Sequence, residues 1–280
     1  MITWRKLAQV DDEESWMKRL AAFSKRLAAI GMPGGKTIRI EVYALSKKEA
    51  VGLVGQFGGG LRRLDERVFT HQKTTRRAPI RIRGKLLVVD SPAKRAAAER
   101  RSPGAKALVV PASMAFGTGE HATTAACLRF LADLAEGFAT KKWDMLDLGT
   151  GSGILALAAK WLGARRVDAF DFDPDAVRVA KENALLNGIE GVAFRKADVT
   201  AWTPPRTWDV VIANLYSEVL IKAAPRIAKA VKPGGWLVFS GVMRHQEKEC
   251  VAALQGRGFR TERLSRKGKW VTALAERFDF

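Results

Sequence analysis

Three glycines at alternate positions, in Asp147-Leu-Gly149-Thr-Gly151-Ser-Gly153, follow an apolar run and open a helical pattern. Glycine permits a tight turn and lets backbone approach a ligand closely. The spacing is G-x-G-x-G rather than the G-x-G-x-x-G that cradles a dinucleotide, which disfavours nicotinamide chemistry. Asp171 closes the next apolar run, 22 residues after Gly149. A carboxylate there can accept both hydroxyls of a ribose. Asp173, directly before Pro174, reads as the cap of the following helix. Asn214 closes a later apolar run, at the carboxyl edge where open α/β sheets take their ligands. These residues suggest a nucleoside held by backbone and one carboxylate, and no nucleophile-base pair accompanies them.

A second polar stretch, Pro111-Ala-Ser-Met-Ala-Phe116-Gly-Thr118-Gly-Glu120-His121-Ala-Thr123-Thr124, leads into an amphipathic helix around Cys127, Leu131 and Leu134. Such a loop can close over a bound cofactor. It can equally be an ordinary helix start, with Thr123 or Thr124 as the capping hydroxyl. His121 can take a proton or serve the loop structurally. Asp198, after Ala197, reads on its own as a turn residue.

The elements that must position these groups alternate from Leu108 onward. Strands are expected at Met145–Leu148, Val167–Asp171, Val192–Lys196, Val210–Ala213 and Trp236–Ser240, with helices such as Ile154–Leu162 and Ala176–Asn187 between them. That alternation implies parallel strands with crossover helices. The chain ends differently, in a hairpin of Thr261–Arg266 and Trp270–Phe278 about Lys267-Gly268.

The first third reads as a separate small α/β domain. Trp16, Leu20, Phe23, Leu27 and Ile30 recur at steps of four and three, which predicts one helix over Ser15–Ile30. Thr37–Leu45 alternates as a half-buried strand. Ser46 and Glu49 form a capping box for a second helix that Gly58-Gly59-Gly60 ends. Further strands are expected at Arg67–Thr70 and across Ile80–Val89, the latter broken by a Gly84-Lys85 turn. The expected organisation is a small domain over 1–90, a basic, proline-bounded linker over 91–107, and a larger domain over 108–280.

The chain has 280 residues and a formal charge of +19. Residues 1–110 carry 24 basic and 10 acidic side chains, against 24 and 19 in the remainder. A basic front half fits a polyanionic neighbourhood such as RNA or the ribosome, or plain solubility. No apolar run approaches the ~18 residues that span a bilayer, and the acidic cluster at 11–14 argues against a signal peptide. Cys127 and Cys250 stand far apart, which argues against a disulfide framework or a zinc site and fits a reducing compartment. The expectation is a cytoplasmic protein with no metal and no membrane partner; oligomeric state is not legible.

Four segments together, Phe116–Thr124, Asp147–Ala156, Asp171–Pro174 and Ala213-Asn-Leu-Tyr-Ser-Glu218, resemble the ribosomal protein L-eleven methyltransferases, the PrmA family. The resemblance covers about residues 80 to 280. It implies a Rossmann-like class I methyltransferase domain, with a seven-stranded mostly parallel sheet and a terminal antiparallel hairpin, behind a small ferredoxin-like domain that recognises the substrate. It implies S-adenosyl-L-methionine as cofactor, with contacts from the Phe116, Thr118, His121 and Thr124 loop, from Gly149, Gly151 and Gly153, and from Asp171 and Asn214. Asp198 would face the adenine amine. The methyl acceptor would be a lysine or α-amino group of a ribosomal protein, guided by Asn214 and the Leu215-Tyr216 backbone, with ribosome or rRNA nearby. Enzymes acting on planar nitrogens commonly carry Asn/Asp-Pro-Pro-aromatic where this chain has Asn214-Leu-Tyr216, so adenine and glutamine acceptors are disfavoured. The alternatives are an RNA methyltransferase or an enzyme acting on a different protein lysine.

Overall fold

The computed structural model describes residues 2–31, 36–63, 78–111 and 121–278. The chain divides into two compact units, Met1–Arg76 and Arg77–Phe280.

The first unit runs β1 (Ile2–Gln9), α1 (Glu13–Arg19), a 3-10 turn, β2 (Leu27–Gly31), β3 (Thr37–Leu45), α2 (Lys47–Phe57) and β4 (Gly60–Arg63). Its strands lie in the order β2-β3-β1-β4, all antiparallel, which is the connectivity of a split βαβ motif. Alternation sets β3 as expected, with Ile38, Ile40 and Val42 buried. The capping box is present: Glu49 N–H donates to Ser46 Oγ (3.2 Å) and Ser46 N–H to Glu49 Oε2 (2.8 Å). The single helix expected over Ser15–Ile30 is not. Helix α1 stops at Arg19, and Leu27–Gly31 pairs with β3 instead. The apolar spacing was real, because Trp16, Leu20, Phe23 and Leu27 all join one cluster with Trp4 and Phe57. Strand pairing overrode the local helical preference in its second half. The expected strand Arg67–Thr70 lies outside the described residues.

The second unit opens with β5 (Ile80–Ile82), β6 (Leu86–Val89), α3 (Pro92–Arg100) and β7 (Lys106–Val109), a three-stranded sheet in that order. The linker expected over 91–107 is thus a crossover helix and the start of a strand. Strands β6 and β7 are parallel, and parallel neighbours need such a crossover. Ala98 of α3 packs on Leu87, Val89, Ala107 and Val109, while the helix's charged outer face gives the stretch its linker-like composition. Side chains close the free edge of β7. Ala107 N–H donates to Glu99 Oε1 (2.9 Å) and its carbonyl accepts from Arg95 Nε (3.1 Å). Val109 N–H donates to Asn187 Oδ1 (2.8 Å), and its carbonyl accepts from Asn187 Nδ2 (2.7 Å).

The rest of this unit runs α4 (Ala122–Gly137), β8 (Asp144–Leu148), α5 (Ile154–Trp161), β9 (Arg166–Asp171), α6 (Pro174–Asn187), β10 (Val192–Lys196), β11 (Trp208–Asn214), α7 (Ser217–Ala230), β12 (Val231–Met243), α8 (Glu247–Gln255), β13 (Phe259–Lys267) and β14 (Trp270–Arg277). The seven strands order as β10-β9-β8-β11-β12-β14-β13. The first five are mutually parallel, and β14 inserts antiparallel between β12 and β13. This is the expected Rossmann-like sheet with its terminal hairpin. Both faces are covered. Met145, Val210, Ile212 and Val238 face α4 and α5, while Leu146, Val211, Ala213, Leu237 and Phe239 face α7 and α8. Burial on both sides explains why these strands read as continuous apolar runs.

Candidate functional site

Strand β8 is followed on one side by β9 and on the other by β11, so the strand order reverses at β8. Crevices at the carboxyl ends of strands flanking such a reversal are where open α/β sheets bind ligands. Register brings the candidate residues to that edge. Leu148 pairs with Phe170 and with Ala213, so Gly149, Asp171 and Asn214 each follow or end adjacent strands.

The glycine turn is held by backbone and by its neighbours. Gly149 and Thr150 N–H both donate to Phe170 O (2.9 and 3.0 Å). Asn183 Nδ2 donates to Ser152 O (2.8 Å). Gly149, Gly151 and Gly153 all have positive φ. A Cβ on Gly149 would meet Leu215 Cδ2 at 2.5 Å, and one on Gly153 would meet Ala180 Cβ at 2.9 Å. Conformation favours glycine at both 149 and 153, and at 153 close approach to Ala180 demands it as well.

Among the described residues, two carboxylates sit beside this turn without a cation. Asp147 is fully buried; its Oδ2 accepts from Thr150 Oγ1 (2.6 Å) and its Oδ1 has no partner. Burial, with repulsion from Asp171 added, pushes it up to about 7. Asp171 accepts Gly151 N–H at Oδ2 and Asp173 N–H at Oδ1, both at 3.0 Å. Burial raises it above the usual carboxylate range, those two hydrogen bonds oppose the rise, and the charge of Asp173 adds to it. Asp173 caps α6 as expected, accepting Asp175 N–H (2.9 Å).

Thr124 is buried in the first turn of α4, but the cap position belongs to His121, whose side chain makes no capping bond. The Thr124 hydroxyl instead meets Asn214 Nδ2 at 3.5 Å. Asn214 Oδ1 is buried without a partner. His121 Nδ1 lies 2.7 Å from Thr123 Oγ1, and its ring stands edge-on to Trp270 at 5.0 Å. Phe116 and Thr118 lie outside the described residues.

The Leu215-Tyr216 backbone offers less than expected. Leu215 N–H is committed to Ser240 O (3.0 Å), and Tyr216 O accepts Leu220 N–H as part of α7. What Leu215 contributes is a side chain against Gly149. Tyr216 caps α7 and is about half exposed. Asp198 is exposed, and its Oδ1 accepts both N–H and Oγ1 of Thr200 (each 2.8 Å). Those bonds hold it below its ordinary value and are the turn role read from sequence. Two residues were missed. Ser217 Oγ is buried without a partner three residues after Asn214. Gly241 has φ +83°, and a Cβ there would come within 2.3 Å of Leu215 O. Neither carries a local signal, since each matters through a neighbour distant in sequence or through burial.

Comparisons with known proteins agree on one relationship. The family model for ribosomal protein L11 methyltransferase (PrmA) matches residues 10–277. A ribosomal protein L11 methyltransferase of Heliobacterium modesticaldum is 41% identical over 165 residues, covering 59% of this chain and 51% of that protein. The one of Geobacter metallireducens is 40% identical over 174 residues, covering 61% and 55%. The chain thus spans about half the length of the curated relatives it matches. The crystal structure of a ribosomal protein L11 methylase from Lactobacillus delbrueckii subsp. bulgaricus superposes with a TM-score of 0.60 at 29% identity, over 72% of this chain and all of the other.

Proposed function

The chain belongs to the ribosomal protein L11 methyltransferase (PrmA) family, and from that premise we propose that it binds S-adenosylmethionine at the carboxyl edge of the sheet and methylates a lysine or α-amino nitrogen of ribosomal protein L11. The observation that carries the reading is the pair of buried acceptors without a partner among the described residues, Asn214 Oδ1 and Asp147 Oδ1, beside a turn of three positive-φ glycines. A buried acceptor left unpaired costs about 1–3 kcal/mol, so such a pair marks a place that a donor-bearing ligand completes. The residues fit the cofactor: Asp171 for the ribose hydroxyls, the Gly149–Gly153 turn for close backbone approach, and Thr124 with Asn214 at the reacting end. His121, at the start of α4, is assigned to the cofactor as well, and Asp198 is assigned its adenine contact.

The cofactor supplies a methyl group already activated on a sulfonium, so the protein's task is alignment. Asn214 Oδ1 would accept a hydrogen bond from the acceptor amine and so orient that nitrogen, leaving its lone pair free to react. Leu215 and Tyr216 flank that nitrogen. A lysine must first lose a proton, since its ordinary pKa is about 10.4. The apolar Leu215 side chain favours the neutral amine by desolvation. The N-terminal unit is assigned substrate recognition. The site of action is the cytoplasm, close to ribosome and rRNA, where the +19 charge favours encounter. Among the described residues no helix is long and apolar enough to cross a membrane.

The test is transfer of labelled methyl from S-adenosylmethionine to ribosomal protein L11 in a mixture with ribosomal RNA, with and without RNase. Labelled protein that survives RNase supports the proposal, and label found only in RNA refutes it. Asn214→Ala is expected to lower kcat at least tenfold with cofactor affinity reduced less.

A further inference from the structure

Away from the sheet edge, a cavity of about 240 Å³ is lined by Arg83, Arg129 and Arg263 together with Ala126, Phe130 and Leu264. It lies between α4, β13 and the β5–β6 turn, and no step of methyl transfer uses it. Asp133 is the carboxylate bound to this group. It accepts both Arg83 Nε and Nη2 (2.6 and 2.9 Å) and Arg263 Nη1 (3.0 Å). Arg129 forms no ion pair among the described residues. Among the described residues, one carboxylate against three guanidiniums leaves an excess of two positive charges around a small, solvent-open cavity. Arg83 and Arg263 side chains remain 43% and 50% exposed, so their unused N–H groups are accessible.

The backbone adds an independent observation. Arg83 is the one non-glycine residue with positive φ (+50°) among the described residues. It shares a turn with Gly84 (φ +67°), closed by Lys85 N–H on Ile82 O (3.0 Å). Turns of this mirror-image type favour Asn, Asp or Gly at that position. Arginine there occupies a backbone conformation unfavourable for a residue with a Cβ, and Asp133 holds its guanidinium in bidentate geometry. The Arg263 guanidinium is fixed as well, 4.9 Å from the Phe130 ring. Two pre-oriented guanidiniums and a third without a counter-ion make a fork for a tetrahedral oxyanion. The volume is below that of ordinary small-molecule sites, so it suits one group of a larger ligand rather than a whole cofactor.

We propose that this pocket seats a backbone phosphate of a single RNA strand, giving the enzyme an RNA contact separate from its methyl-transfer site. The charge of the chain selects RNA over an isolated small anion. A formal +19 attracts an extended polyanion and orients it, while one pocket phosphate fixes the register. The inference does not rest on the methyl acceptor being protein.

The experiment is fluorescence anisotropy of a labelled single-stranded RNA of about 20 nucleotides with the full chain, over a series of salt concentrations. Arg129→Glu and the milder Arg129→Gln are compared with Lys181→Glu, an exposed change on α6 that alters net charge as much as Arg129→Glu does. S-adenosylhomocysteine binding and thermal unfolding verify that each variant is folded. Arg129→Glu is expected to weaken RNA binding at least tenfold, and Arg129→Gln to flatten the slope of log affinity against log salt by about one. Inorganic phosphate should compete with RNA for the wild-type protein. Unchanged affinity and slope in both Arg129 variants overturn the proposal, as does an equal loss in Lys181→Glu. Phosphate binding without RNA binding also overturns it, leaving a small-anion site. Loss of S-adenosylhomocysteine binding by the wild-type protein would instead strike the methyltransferase reading and leave the RNA result standing.

Discussion

The two ends of the seven-stranded sheet treat buried charge in opposite ways. At the amino end, Asp144 is bound by Arg165 (2.9 and 2.8 Å) and Arg206 (2.9 Å). Asp168 is bound by Arg206 and by the Trp208 indole N–H (2.8 Å), and Asp209 by Lys232 (2.6 Å). At the carboxyl end, Asp147 and Asp171 have hydroxyl and backbone N–H partners only. The same strands therefore carry a cation-saturated edge and a cation-free edge. Saturation gives stability and leaves nothing to bind with. The unsaturated edge is costly to fold and is available to a ligand.

The sharpest way to break this contrast is Asp171→Ala. Cofactor affinity measured by calorimetry should fall at least a hundredfold while the thermal midpoint stays level or rises, because a carboxylate that burial disfavours has been removed. Unchanged affinity would mean the ribose lies elsewhere. Arg206→Ala should do the reverse. It leaves Asp144 without one of its two cations and takes the shortest ion pair from Asp168, costing about 2–3 kcal/mol in urea unfolding; the usual 3–5 kcal/mol for a broken buried pair is reduced because Arg206 reaches solvent. Cofactor affinity of the folded fraction should not change.

Titration sharpens the comparison, since the two edges carry opposite signs. Asp147 is raised to about 7, so its contribution to stability is full below its unfolded pKa of about 3.9 and is lost as pH rises through 7. Asp144 is held below its ordinary value, chiefly by the Arg165 hydrogen bond and then by Arg206 against its burial. Its contribution is full above the unfolded pKa and is lost as pH falls. In denaturant unfolding, Asp147→Asn should gain on the wild type more at pH 8 than at pH 5. Asp144→Asn should lose stability at both, with the loss shrinking toward pH 3. The same sign in both variants would remove the distinction. The smallest expected effect is Thr124→Val, a few-fold loss of cofactor affinity with the unfolding midpoint retained. Wild-type affinity would reduce Thr124 to a packing residue.

Much of the carboxyl edge was legible because its requirements are local. A glycine that must turn, an acidic residue that must end a strand, and apolar runs buried on both faces all write themselves into a few consecutive residues. What stayed hidden depends on partners distant in sequence. Leu27–Gly31 is a strand because β3 offers an edge. Pro92–Arg100 is a crossover helix because β6 and β7 are parallel. The Leu215 N–H is spent on Ser240, which sits on the neighbouring strand β12. The Arg83 turn resembles any loop until α4 and β13 bring Asp133 and Arg263 beside it.

The arrangement around Ala107 and Val109 has a consequence for how these molecules meet in a crowded solution. An outermost strand with bare amides and carbonyls invites a foreign chain to zip onto it, which is a common route to fibres. Here Glu99, Arg95 and Asn187 imitate the missing neighbour, one polar group at a time. The imitation cannot propagate, because a side-chain amide presents no further rung. The β7 edge is sealed against self-templating by three residues whose own backbones lie in helices.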